Sequence, residues 1–138
     1  MTYRRVFSLD DRRSVAGAQV GLKARSLIRM RQLGLPVPPG FCVAGNAFRE
    51  HLEKNDLLPL IRATLNRLEG ASSEAKPSLL SDLRIAIADA RMVDELRQEI
   101  ESQYRALGAE SVAVRSSATV EDLPGYSFAG QYESYLCV

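Results

Sequence analysis

An α/β fold, in which helices surround a small mixed sheet, is the architecture this sequence predicts. Two observations carry it. The runs Phe41-Cys42-Val43 and Ser111-Val112-Ala113-Val114-Arg115 have strand length and strand composition, and Pro, Gly or Ser bounds each of them. Between and before them, several longer stretches repeat apolar residues at helical spacing. Size agrees: 138 residues with 46% hydrophobic content match one domain with a sizeable core. Residues 1–138 are therefore read as a single domain, with 41–43 and 111–115 as its central strands.

The elements follow in order. Tyr3 to Leu9 reads as a short edge strand with Val6 and Phe7 as its apolar content, and Asp10 to Ser14 as a polar loop. Gly21 to Leu33 is helical: Ala24, Leu27 and Ile28 form one stripe, Met30 and Leu33 lie beside it, and Gly34 supplies the C-cap. Pro36, Pro38 and Pro39 forbid helix and impose an extended connector. After the strand 41–43, Asn46 is placed to cap a helix from Ala47 to Lys54. Leu57 to Leu68 carries Leu58, Ile61, Leu65 and Leu68. Ser78 to Ala90 carries Leu80, Leu83 and Ile87, and Val93 to Leu107 carries Leu96, Ile100 and Tyr104 before ending at Gly108. These stripes read as core packing. An alternating strand from Gln131 to Val138 completes the chain.

The stretch that carries chemistry runs from Val112 to Gln131. Val112 and Val114 alternate with Ala113 and Arg115, so the valines are expected on a buried face. The strand then breaks into Ser116-Ser117-Ala118-Thr119, a Pro124-Gly125 pair and the small-residue turn Ser127-Phe128-Ala129-Gly130-Gln131. A guanidinium fixed at a strand end, beside a loop rich in N–H and O–H donors, suits phosphate oxygens. A β-turn-β connection with a surface ion pair is the plainer reading of the same spacing.

VAVRSSATVEDLPGYSFAGQYESYL resembles the signature of the ATP-binding domain of the phosphoenolpyruvate synthase, pyruvate phosphate dikinase and rifampicin phosphotransferase family. A second block agrees with it. Val20-Gly21-Leu22-Lys23-Ala24, a helix, then Gly34-Leu35-Pro36-Val37-Pro38-Pro39-Gly40-Phe41 is similar to the family's VGGKG, helix, G-x-PVPPGF order. The resemblance implies the N-terminal subdomain of an ATP-grasp fold, incomplete at its C-terminus. It also implies a cytoplasmic ATP-dependent phosphotransferase. The rest of that domain, a phosphohistidine domain and an acceptor domain would follow as partners in a longer chain.

The same resemblance assigns the site. Lys23 matches the lysine of the VGGKG turn, at a helix start where free N–H groups favour an anion. Two family glycines are here Leu22 and Ala24. Arg115 matches the family arginine that contacts ATP phosphates and stabilises charge during transfer, the one catalytic assignment. Gly130 and Ser134 match the glycine-containing loop and the hydroxyl on the following strand, where the nucleotide lies. ATP is the implied ligand with Mg²⁺, whose ligands are expected outside this chain. Glu121 and Asp122 are not assigned to it: Thr119 and Asp122 read as a capping pair.

Other classes are disfavoured. Eighteen basic and seventeen acidic residues give a net charge of +1, which offers no global field for nucleic acid or an anionic membrane. No apolar run approaches the ~20 residues of a membrane span, and no signal-peptide core follows Met1 to Arg5. Cys42 and Cys137 lack metal-ligand spacing and are expected as buried thiols in a reducing compartment. His51, the single histidine, sits in a charged helical run and is expected to be solvated. The alternative to the phosphotransferase is a truncated, non-catalytic nucleotide- or partner-binding module on the same scaffold.

Overall fold

The computed structural model describes residues 4–11, 20–116 and 134–138. Five helices and four short strands occur among them. In chain order these are β1 (Val6–Ser8), α1 (Leu22–Gln32), β2 (Phe41–Val43), α2 (Gly45–Lys54) and α3 (Leu57–Gly70). There follow α4 (Ala75–Asp89), α5 (Asp94–Leu107), β3 (Val114–Arg115) and β4 (Ser134–Tyr135). The chain divides into two units, one formed by the residues up to Ala47 with those from Glu95 onward, the other by Phe48–Asp94.

In the first unit β1 and β2 pair antiparallel, Val6 opposite Val43 and Ser8 opposite Phe41. The ladder extends through Leu9 N–H to Gly40 O at 2.9 Å and Ala44 N–H to Arg5 O at 2.8 Å. Val20 and Ala24 pack with Cys42 and Ala44 into one buried cluster, with Phe7 against it. Ala24 and Ile28, four residues apart, form the buried stripe of α1. Arg5 ties the ribbon to α5 through a hydrogen-bonded ion pair with Glu99. That leaves Leu96 as the buried anchor of α5.

α1 ends as its sequence predicts. Gly34 takes φ +77°, Gly34 N–H reaches Arg31 O and Leu35 N–H reaches Met30 O, both at 3.0 Å. Those two bonds are a Schellman motif, which satisfies carbonyls that the helix itself cannot. Residues 35–40 are then free of helix, as three prolines require.

The second unit contains α3 packed on α4. On α3 the buried or half-buried positions are Leu57, Leu58, Ile61, Thr64 and Leu68. On α4 they include Leu79, Leu83, Ala86 and Ile87. Pro77 lies in the first turn of α4, where a missing N–H breaks no intrahelical bond. The helix begins at Ala75, three residues before Ser78, where the apolar spacing placed its start.

Several expectations are corrected. The two predicted central strands do not share a sheet among the described residues. β2 pairs only with β1 and β3 only with β4, each in a two-stranded antiparallel ribbon. Val114 is 49% exposed, so the alternation in 111–115 does not mark a buried face. Asn46 does not cap a helix from Ala47. The helix already starts at Gly45, and Asn46 Nδ2 instead donates to Arg4 O at 3.1 Å. Leu27, Leu65, Leu80 and Tyr104 are exposed, since only part of each apolar stripe meets a neighbour. Thr64 takes a buried place on α3 that apolar periodicity alone could not assign.

Because Ile28 is fully buried while Leu33 is 68% exposed, truncating them should differ sharply. Ile28→Ala is expected to cost about 2–5 kcal/mol in chemical denaturation. Leu33→Ala should stay within roughly 0.5 kcal/mol. Equal losses would contradict the packing of α1.

Candidate functional site

Lys23 is the second residue of α1 and is exposed. Gly21, the N-cap, has extended backbone (φ −66°, ψ 166°) and makes no side-chain capping bond, and the first turn holds no acidic residue. The two departures from the glycine-rich turn separate cleanly in space. Ala24 joins the buried cluster, so its methyl packs inward, away from the solvent at the helix start. Leu22 is 41% exposed and is the side chain that remains at that surface.

Arg115 ends β3 and Ser134 begins β4, and the two are direct cross-strand partners. Paired positions carry their side chains on one face of a ribbon, with Cβ atoms about 5 Å apart. The two residues assigned from sequence are thereby brought to one face of the ribbon, 19 residues apart in the chain. Val114 and Tyr135 form the neighbouring pair and occupy the opposite face. Both Arg115 and Ser134 are exposed. Gly130 lies outside the described residues, as do Thr119, Glu121 and Asp122.

The ribbon closes with an irregularity. Val112 and Val138 exchange both backbone hydrogen bonds, each 3.1 Å. Between that pair and Val114–Tyr135, Leu136 and Cys137 oppose Ala113 alone, the two-against-one pattern of a β-bulge. Cys137 takes φ +58°, a left-handed conformation that side chains seldom adopt. It is exposed, which corrects the expectation of a buried thiol; Cys42 is buried as expected. Burial raises the Cys42 thiol above its ordinary range.

His51 is half-buried, and its Nε2 lies 3.1 Å from Ile87 O, linking α2 to α4. The expectation of a solvated histidine is corrected: a backbone carbonyl on α4 holds the ring. Among the described residues, no group of three or more His, Cys, Asp or Glu side chains converges to hold a metal ion. No helix among them is long and apolar enough to cross a membrane. An open groove of about 590 Å³ lies between the end of α3 and the start of α4, lined by Asn66, Arg67, Gly70, Ala75 and Ser78. Lys23, Arg115 and Ser134 take no part in it.

Sequence reasoning passed over Arg31. Its Nε donates to Asp10 Oδ1 at 2.6 Å, its Nη2 pairs with the same carboxylate, and its Nη1 donates to Val37 O at 2.6 Å. No spacing rule joins residues 10, 31 and 37, so nothing in the sequence announced it.

Helices combined with small antiparallel ribbons, one of them pairing Arg115 with Ser134, define an α/β class of domain. Comparison with known proteins narrows this. The family described as the pyruvate phosphate dikinase AMP/ATP-binding domain matches residues 17–138. This chain belongs to that family. It is 41% identical over 122 residues to a probable phosphoenolpyruvate synthase of Methanocaldococcus jannaschii, covering 84% of this chain and 10% of the relative. It is 38% identical to the phosphoenolpyruvate synthase of Aeropyrum pernix, covering all of this chain and 18% of that protein. A rifampicin phosphotransferase of a Streptomyces species is also 38% identical, over all of this chain and 16% of its own length. The chain thus spans about a tenth to a fifth of the curated relatives it matches.

The two thiols should react very differently. A maleimide should modify exposed Cys137 rapidly and Cys42 only as the protein opens. Because the folded-state value of Cys42 is raised, the folded chain holds that proton where the unfolded chain has begun to lose it. Its stabilising contribution is complete below the unfolded thiol range and is lost as pH rises through the folded value. Cys42→Ala should therefore flatten the alkaline fall of stability in denaturation curves. An unchanged slope would contradict the buried thiol.

Proposed function

We propose that this chain is the ATP-binding portion of a cytoplasmic ATP-dependent phosphotransferase of the phosphoenolpyruvate synthase type. In this reading residues 1–138 are the N-terminal part of an ATP-grasp domain. Lys23, Arg115 and Ser134 contact the nucleotide and the Gly130 loop approaches it. The phosphoryl group then passes to a histidine carrier in a separate domain of a longer protein.

The observation that carries the reading is the direct pairing of Arg115 with Ser134, inside a segment that matches an AMP/ATP-binding family throughout. A guanidinium presents a planar fork of donors to phosphate oxygens, and a neighbouring hydroxyl adds a donor without adding charge. An ammonium at the start of α1 supplies a second cation beside amides that lack intrahelical partners. Phosphoryl transfer asks mainly for positioning and for neutralisation of charge on the moving group, and these residue types provide both. Relatives named for different products align to this same segment, which fits a part that handles their common donor.

Mg²⁺ accompanies ATP in this chemistry, but the described residues do not fit it, because no carboxylate cluster gathers among them. In this reading the ligands of the ion lie outside this chain. With part of the ligand set elsewhere, the chain alone is expected to bind ATP weakly and to catalyse nothing.

Arg115 is the decisive position. Arg115→Ala should weaken ATP binding by roughly tenfold or more in an NMR titration, the worth of a charge-assisted hydrogen bond. Arg115→Lys should fall between it and wild type, since the charge survives and the fork does not. Unchanged affinity in a folded Arg115→Ala chain would favour a non-catalytic module built on the same scaffold.

A further inference from the structure

We infer that Arg31 is a positioning residue for Lys23, acting through the body of α1; this rests on the proposed phosphate role of Lys23. The guanidinium grips two segments at once. Nε and Nη2 hold the Asp10 carboxylate in the turn after β1, and Nη1 holds the Val37 carbonyl in the proline-rich connector before β2. β1 and β2 are antiparallel partners, and Leu9 N–H bonds Gly40 O at that end of the ribbon. Arg31 therefore fastens the C-terminal end of α1 to both strands' extensions where they emerge from the ladder.

The rest of the α1 contact shows why this grip matters. α1 packs through Ala24, which joins the ribbon cluster with Val20, and through Ile28, fully buried one turn further on. Apolar burial of this kind is non-directional and does not by itself set the rotation of the helix. Three directed hydrogen bonds from a planar group, by contrast, fix both position and rotation. Lys23 stands eight residues from Arg31, about 12 Å along a continuous helix, so a rotation allowed at one end is carried to the other. Arg31 is 23% exposed at its side chain and Asp10 62%, so the pair adds modestly to stability and its stronger effect is geometric.

The test is a double-mutant cycle on the 138-residue chain, titrated with ATP and followed by NMR, with thermal unfolding measured alongside. Arg31→Ala should weaken ATP binding about three- to fivefold with little loss of stability. Arg31→Lys, which keeps the charge but loses the fork, should not restore affinity. In a Lys23→Ala background, Arg31→Ala should have no further effect, since its influence runs through the missing ammonium. Additive losses, or unchanged affinity in Arg31→Ala while Lys23→Ala binds poorly, would overturn the positioning role. Should Arg31→Ala unfold the chain, Asp10→Asn makes the same comparison at an exposed site. Unchanged affinity in Lys23→Ala, or no ATP-dependent shift in the wild-type chain at millimolar nucleotide, would overturn the phosphate reading and this inference with it.

Discussion

The packing of Val20 and Ala24 on Cys42 and Ala44 is the contact on which the first unit depends. It joins the start of α1 to the β1–β2 ribbon, two elements that neither stand alone. An isolated two-stranded ribbon is marginal in water, and an eleven-residue helix is too short to persist without an apolar partner. Each supplies the surface the other must bury. The small size of Ala24 lets helix and ribbon approach closely, its methyl facing the core while Leu22 stays at the surface.

Polar contacts complete what this modest core begins. Arg5 reaches Glu99 on α5, Arg4 pairs with Asp11, and Arg31 reaches Asp10 and Val37. Arg4 also stands over the Phe7 ring, 5.3 Å from its centroid. Three arginines thus fasten the segments flanking β1 and β2. They act mainly on geometry, because exposed ion pairs contribute little net free energy. The placing of Lys23 relative to the ribbon is a product of this arrangement.

Much of the helical architecture was legible in the sequence. Gly34 and Gly108 ended α1 and α5 as expected, with φ +77° and +58°, because only a residue without Cβ enters that region at no steric cost. The prolines of the connector were equally decisive. Strands were less legible, since two- and three-residue pairings leave little periodicity to read. Val114 alternates like a buried residue yet is exposed, and Cys137 occupies a bulge that no local pattern marks. His51 looked solvated because its partner, the Ile87 carbonyl, is backbone and distant in sequence. Of the site, the residue types at 23, 115 and 134 were readable. The pairing of Arg115 with Ser134 is a register, which only the folded ribbon supplies.

The central claim is that ATP phosphates sit at the exposed Arg115–Ser134 pair with Lys23. A crystal structure of the chain with a non-hydrolysable ATP analogue tests it most directly. The account predicts phosphate oxygens within hydrogen-bonding distance of the Arg115 guanidinium, the Ser134 hydroxyl and the Lys23 ammonium. A nucleotide bound instead in the α3–α4 groove beside Arg67, with Arg115 untouched, would contradict it.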